Sequence, residues 1–210
     1  MYVNIFLPNQ PPVERFLINA FLGGLIFMVL TEIHIYPIKS TKGISLQSGL
    51  VERRGIQFDR RWMVVDKAGM FLSQRDHPRL ALVSTKIVSF ADAFPLLLIS
   101  QASLDDLNSK LAVPVPMNRF RPNIVISGCN TFDEDKWKEI RVGDTIFYVM
   151  KPCARCVTTT VDQTTGVQGK EPLATLSKYR KVDGQVLFGQ NVIPEKRGML
   201  RVGDIVEVIS

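Results

Sequence analysis

Cysteine is scarce: three in 210 residues, too few and too odd in number for a disulfide framework. The chain therefore reads as a resident of a reducing compartment, the cytoplasm, with its thiols free or used in chemistry. Long hydrophobic runs are lacking as well. The strongest, Phe16 to Leu30, is interrupted by Asn19 and the Gly23-Gly24 pair and falls short of the roughly 20 residues that a membrane-spanning helix needs. It also lacks the basic flank and small-residue cleavage site of a signal peptide. Residues 1–27 keep two readings: an extension outside a fold that starts near Met28, or a peripheral anchor in which residues 16–30 touch a membrane surface. Gly and Pro, 14 and 12 in number, are concentrated nowhere, which excludes collagen-like and disordered classes. A strong charge of one sign is missing too. The 26 Lys and Arg against 20 Asp and Glu leave +6, a mild, scattered excess that suits an anionic ligand. The pairs Arg53-Arg54, Arg60-Arg61 and Lys196-Arg197 are short and carry no interleaved aromatics, so no nucleic-acid partner is expected.

What the chain does have is short strands with turn signals from Leu30 onward. Ile33, Ile35 and Ile38 alternate with Glu32 and His34 before Lys39-Ser40-Thr41-Lys42-Gly43 breaks the run. Ile44 to Val51 and Arg61 to Asp66 follow as strands. An Asp66-Lys67-Ala68-Gly69 hairpin turn leads into Met70 to Gln74, and Leu80 to Val88 continues the pattern. Further on, Phe94 to Ser100 reads as a strand, and Ile124 to Ser127, Thr145 to Met150, Cys156 to Val161 and Ile205 to Ile209 are rich in β-branched residues. Two helices interrupt them. Ser103 to Leu111 opens on a cap-like Ser-Leu-Asp-Asp with Leu104, Leu107 and Leu111 on one stripe. Glu171-Pro172 opens the second, with Leu173, Leu176 and Tyr179 at helical spacing. Arg141-Val142-Gly143-Asp144 recurs as Arg201-Val202-Gly203-Asp204, each time a Gly-Asp turn before a strand. The pattern predicts a mostly β fold, a barrel or two packed sheets, with two or three helices.

The segment Lys151 to Asp162, KPCARCVTTTVD, carries the chemistry. Cys153 and Cys156 at C-x-x-C spacing suit half of a zinc site, a dithiol redox pair, or one metal-binding thiolate beside an idle neighbour. Zinc needs four ligands, and the rest of the supply is Cys129, His34 and His77, none at knuckle spacing. A redox dithiol sits at a helix N-terminus, whereas Cys156 reads as the start of a strand. Lys151 and Arg155 flank the thiols, and cation favours the thiolate that binds a soft metal.

Around this loop lie FRPNIVISGC, VDQTTG, KEPLATLSKYR and LFGQN, and before it IYPIKS, FDRRWMVVD and QRDHPRLALVS. In this order they resemble the MOSC-domain proteins, in the branch of the mitochondrial amidoxime-reducing components and their bacterial relatives, over most of residues 28 to 210. The resemblance implies a β-barrel-like MOSC fold in two segments, an N-terminal β-barrel-like subdomain over 28–87 and a MOSC domain over 88–210. It implies a molybdenum cofactor, a pterin dithiolene holding molybdenum, with Cys156 as the protein's ligand and Cys153 as a bystander. Lys39, Ser40, Arg60, Arg121, Asn123 and Arg155 match cofactor contacts. Their ammonium, hydroxyl, guanidinium and amide groups suit a phosphate and pterin edges. Asp92 matches an acidic residue near the metal that would pass a proton to a departing oxygen.

The implied activity is reduction of N-hydroxylated compounds such as amidoximes, hydroxylamines and N-hydroxylated bases. No ferredoxin-like cysteine set follows Ser210, so a separate ferredoxin-like or cytochrome b5-like donor is expected. The wider family also carries an implied association with pyridoxal phosphate. Two alternatives stand beside the reductase: sulfur transfer through a persulfide on Cys156, and cofactor binding without catalysis. This chain departs from the family where LALVSTKI abuts VSFADAFP at residues 87 and 88, because relatives carry several more strands there. The N-terminal subdomain is thus expected to be shortened, with sheet edges exposed.

Overall fold

The alternation that starts the chain does form a strand. In the computed structural model, which describes residues 27–83 and 94–210, β1 runs over Met28–Ile35 with Leu30, Ile33 and Ile35 buried. Strands β2 (Ile44–Leu46), β3 (Ser48–Glu52), β4 (Gly55–Ile56), β5 (Val64–Val65) and β6 (Phe71–Leu72) follow. After β7 (Leu96–Ser100) come helix α1 (Gln101–Asn108), β8 (Ile124–Ser127), β9 (Glu139–Val142) and β10 (Thr145–Arg155). Helix α2 (Leu173–Tyr179), β11 (Lys181–Val182), β12 (Gln185–Pro194), β13 (Gly198–Arg201) and β14 (Ile205–Val208) complete the chain.

Seven strands close on themselves in the order β10-β9-β14-β1-β8-β7-β12, and β12 pairs back to β10. The fold is the mostly β barrel expected, with two α-helices among the described residues. Every neighbouring pair is antiparallel except β7 and β8. That parallel pair is buried on both faces, as parallel strands generally are. Leu96, Leu98, Ile124 and Ile126 point into the barrel, while Leu97, Ile99 and Val125 join an outer core with Leu104 and Leu107 of α1, Leu176 of α2, Phe120 and Phe188. A three-stranded sheet of β13, β3 and β4 and the β5–β6 hairpin stand outside the barrel. The division at 87/88 does not separate two sheets, since β1 lies in the barrel between β14 and β8.

Several local expectations are corrected. Cys156 to Val161 is a 3₁₀ turn over Val157–Thr160, with Cys156 as its N-cap. The threonine hydroxyls explain it: Thr159 Oγ1 donates to the Cys156 carbonyl at 3.0 Å and Thr160 Oγ1 to the Val157 carbonyl at 2.8 Å, local bonds that outcompete a ladder. Pro78–Leu82 is also a 3₁₀ turn where a strand was expected from Leu80, because Pro78 sets a helical φ and removes a ladder donor. The strand expected from Arg61 to Asp66 is only Val64–Val65, closed by the Asp66–Gly69 turn as expected. Helix α1 starts two residues earlier than Ser103. Its cap is Ser100, whose side chain accepts from the Ser103 amide. The Phe16 to Leu30 run lies outside the described residues except for its last residues, Phe27 to Leu30, and Met28 to Leu30 belong to β1. Among the described residues no helix is long and apolar enough to cross a membrane.

Candidate functional site

Three chain segments meet at one end of the barrel: the turn after β1, the Phe120–Asn123 bend before β8, and the loop after β10. Backbone strain marks the place. Ser40, Phe58, Arg60 and Arg121 hold positive φ angles of 64°, 71°, 43° and 55°, conformations that cost side-chain-bearing residues energy and persist where surrounding contacts impose them.

Tyr36 is the pivot. Its ring is buried between two guanidiniums, with Arg121 at 4.1 Å and Arg60 at 5.0 Å from the ring centroid. Its hydroxyl donates to the Pro122 carbonyl at 3.1 Å, and its amide donates to Asp59 at 2.6 Å. Burial pushes the phenol pKa well up despite the two arginines, so it stays a neutral donor. Arg60 is held by Asp59 at 2.6 Å, by Asn123 Oδ1 at 2.9 Å and by the Arg121 carbonyl at 3.3 Å. Asn123 is fully buried, and its amide also bonds the Leu97 amide and the His34 carbonyl. It holds Arg60 from inside the protein.

Arg121 reaches across to the Thr41 carbonyl and to Gln163 at 3.5 Å. Gln163 and Gln74 bond each other reciprocally at 3.1 and 3.4 Å, and Gln74 donates to the Ser40 carbonyl at 3.1 Å. The Lys39–Ser40 turn is thereby tied to the cysteine loop. Lys39 donates its amide to Trp62, and its ammonium lies 5.2 Å from the centre of the Phe71 ring.

Cys156 is half-buried. Burial raises its pKa, but donors from the Thr158 hydroxyl and amide and from the Arg75 guanidinium outweigh that and hold the thiol below its usual range. Cys153 instead accepts from Arg155 Nη1 at 3.0 Å, and Arg155 Nη2 donates to the Phe120 carbonyl at 2.7 Å. Arg155 thus clamps the loop to the residue before Arg121. Arg119 does the same from the other side, bonding Asp162 at 3.0 Å. The Nε atoms of Arg119 and Arg155 are buried with no hydrogen-bond partner among the described residues.

Hydrogen bonds tie the Ser40 carbonyl, Arg60, Arg121 and Asn123 together through Gln74 and Gln163, and Arg155 joins the same bend through the Phe120 carbonyl. The Cys156 thiol bonds Thr158 on its own loop, the Lys39 ammonium lies over Phe71, and Asp92 lies outside the described residues. Sequence reasoning passed over Tyr36, Asp59, Gln74, Arg75 and Gln163. Each sits inside a quoted motif, but nothing in the local sequence marks it as buried or bonded. No group of three or more His, Cys, Asp or Glu side chains converges among the described residues. The donor set fits a different group. One half-buried thiol whose proton is loosened by neighbouring donors, three guanidiniums, an ammonium and orphaned buried N–H groups suit a thiolate-ligated soft metal on an anionic organic carrier.

Comparison with known proteins agrees in family. The profile of the MOSC domain matches residues 85–207, and that of the MOSC N-terminal beta barrel domain matches residues 27–136. The mouse mitochondrial amidoxime-reducing component 1 is 29% identical over 279 residues, covering 86% of this chain and 82% of the relative. The rat mitochondrial amidoxime reducing component 2 is 32% identical over 275 residues, covering 83% and 81%. Both alignments are longer than the 210-residue chain, so the relatives carry residues within the aligned span that this chain lacks. Among solved structures, the YuaD protein from Bacillus subtilis superposes with a TM-score of 0.57 at 16% identity, over 85% of this chain and 94% of that one. With both family profiles matched across half of its length or more, the chain belongs to the MOSC family.

Proposed function

We propose that this protein is a molybdenum-cofactor-dependent oxidoreductase that reduces N-hydroxylated compounds, with Cys156 as the metal ligand. The observation that carries the reading is a half-buried thiol on a loop that Arg155 ties to the Phe120 carbonyl, next to the buried Arg121 and Arg60. When bound, the cofactor supplies the two-electron oxygen-removing chemistry that side chains lack. The chain supplies the rest. Cys156 presents a thiolate, with Arg75 and Thr158 donating to it. Arg121, Lys39 and the Ser40 hydroxyl are the groups that would hold the anionic part, and Arg60 is positioned by Asp59 and Asn123. Arg155 serves as a strut that fixes the loop through Phe120. Asp92 is assigned proton delivery to the departing oxygen. Electrons come from a separate ferredoxin-like or cytochrome b5-like protein, and a reducing compartment such as the cytoplasm suits a thiol that must stay reduced.

Elemental and pterin analysis of purified protein tests this. One molybdenum and one pterin per chain, both lost in Cys156→Ala, are expected, together with turnover of benzamidoxime by the loaded protein and an artificial donor. A persulfide on Cys156 without molybdenum would replace the reading with sulfur transfer. Loaded protein without turnover would reduce it to cofactor binding.

A further inference from the structure

We infer a second, hydrolytic site on the outer wall of the barrel, a Ser45–His34–Glu32 relay that acts on short-chain carboxylic esters. Glu32 and His34 are two residues apart on β1 and share one face, and His34 pairs directly with Ser45 on β2. The side chains meet in line: Ser45 Oγ lies 3.1 Å from His34 Nδ1, and Glu32 Oε2 lies 2.6 Å from Nε2. Chemistry fixes the roles. A carboxylate only accepts hydrogen bonds, so the ring proton of a neutral His34 sits on Nε2, and Nδ1 keeps the lone pair that accepts from the serine hydroxyl. This is the order nucleophile, base, orienting acid that defines such a triad by geometry and role, whatever the fold. Ser45 is exposed, so the hydroxyl is reachable.

The triad lines a cleft of about 450 Å³ whose far side reaches Tyr36 and Gln163 of the first site, within the size range of small-ligand pockets. Leu82 and Met117 give it an apolar wall for an acyl chain, and Lys42 and Asn118 line it as donors for a developing oxyanion. In the first half-reaction Ser45 Oγ adds to the ester carbonyl carbon while its proton passes to Nδ1. The carbon–oxygen bond to the alcohol then breaks, and the alkoxide leaves with that proton. Water repeats the sequence on the acyl-serine and releases the carboxylic acid. Ester and water become acid and alcohol, and no electrons are transferred. The inference does not rest on the reductase reading.

The test uses the full chain with p-nitrophenyl acetate as substrate and a fluorophosphonate probe located by peptide mass spectrometry. The expected result is a label on Ser45, turnover lowered about a hundredfold in Ser45→Ala and about tenfold in Glu32→Gln, and turnover retained in Cys156→Ala. Ser45 is exposed, so its alanine variant keeps its fold, checked by circular dichroism. A label elsewhere, or hydrolysis unchanged in Ser45→Ala, would overturn the inference.

Discussion

On the proposed reading Cys156 binds metal, for which a thiol must lose its proton, and its surroundings favour that loss. Arg75 and Thr158 donate to the sulfur and hold its pKa below the usual thiol range, while burial beside Glu134 pushes Cys129 up to about 11. The sign of the linkage follows. A thiol whose folded pKa is depressed contributes stability above its unfolded pKa, and that contribution is lost as pH falls through the folded value. Iodoacetamide alkylation of metal-free protein should therefore modify Cys156 at a lower pH than Cys129, which reacts only in strongly alkaline solution. Arg75→Gln should move the Cys156 profile to higher pH; an unchanged profile would leave Thr158 as the group that holds the thiolate. The residues around Cys156 left zinc, dithiol and single-thiolate readings open, and it was the resemblance to the MOSC family that singled out this cysteine. Gln74 and Gln163 were not legible in the sequence, because a glutamine in a turn reads as a solvated side chain until a partner 89 residues away is seen to share its hydrogen bonds.

Elements followed the sequence where burial decides and departed from it where side chains bond locally. The strands β7 and β8 and the two Gly-Asp turns stand where hydrophobic runs and turn residues put them, with Gly143 and Gly203 at φ of 55° and 97°. The Val157–Thr160 segment has strand-like composition, yet its hydroxyls close a 3₁₀ turn that carries Cys156 at its head. That turn, not a strand, sets the direction of the sulfur. At α1 the cap is Ser100, whose hydroxyl accepts from the Ser103 amide at 3.1 Å and bonds the Ser103 hydroxyl at 2.8 Å. Ser100 is fully buried and ends β7, so one residue serves as strand terminus and helix cap. Ser100→Ala should lower the unfolding free energy by about 1–2 kcal/mol, the cost of a lost cap, measured by urea titration. A change below about 0.5 kcal/mol would mean that the Ser103 hydroxyl takes over the cap.

At the scale of the molecule, the described residues form two hydrophobic clusters, and Phe120 of the outer one leads directly into Arg121 of the candidate site. The inner core is filled by Leu30, Leu98, Ile126 and Phe147, and the outer one lies between the barrel wall and the two helices. Phe120 belongs to the outer core, with its ring 4.4 Å from that of Phe188, and its carbonyl is the anchor of Arg155. Arg121 follows it directly, so outer-core packing fixes the backbone that aims Arg121 toward Thr41 and Gln163. Cavities in the two cores should then have different consequences. Leu98→Ala should cost about 2–5 kcal/mol and Phe188→Ala about 3–5 kcal/mol of stability, both read from denaturant midpoints. If the proposed cofactor binding holds, Phe188→Ala alone should also lower the molybdenum retained per chain when both variants are assayed far below their unfolding temperatures. A relaxing Phe120 lets the Arg155 strut and Arg121 drift, whereas a cavity inside the barrel leaves that bend supported by the Tyr36 stack. Equal retention in the two variants would show that the arginine network holds the site without help from the outer core.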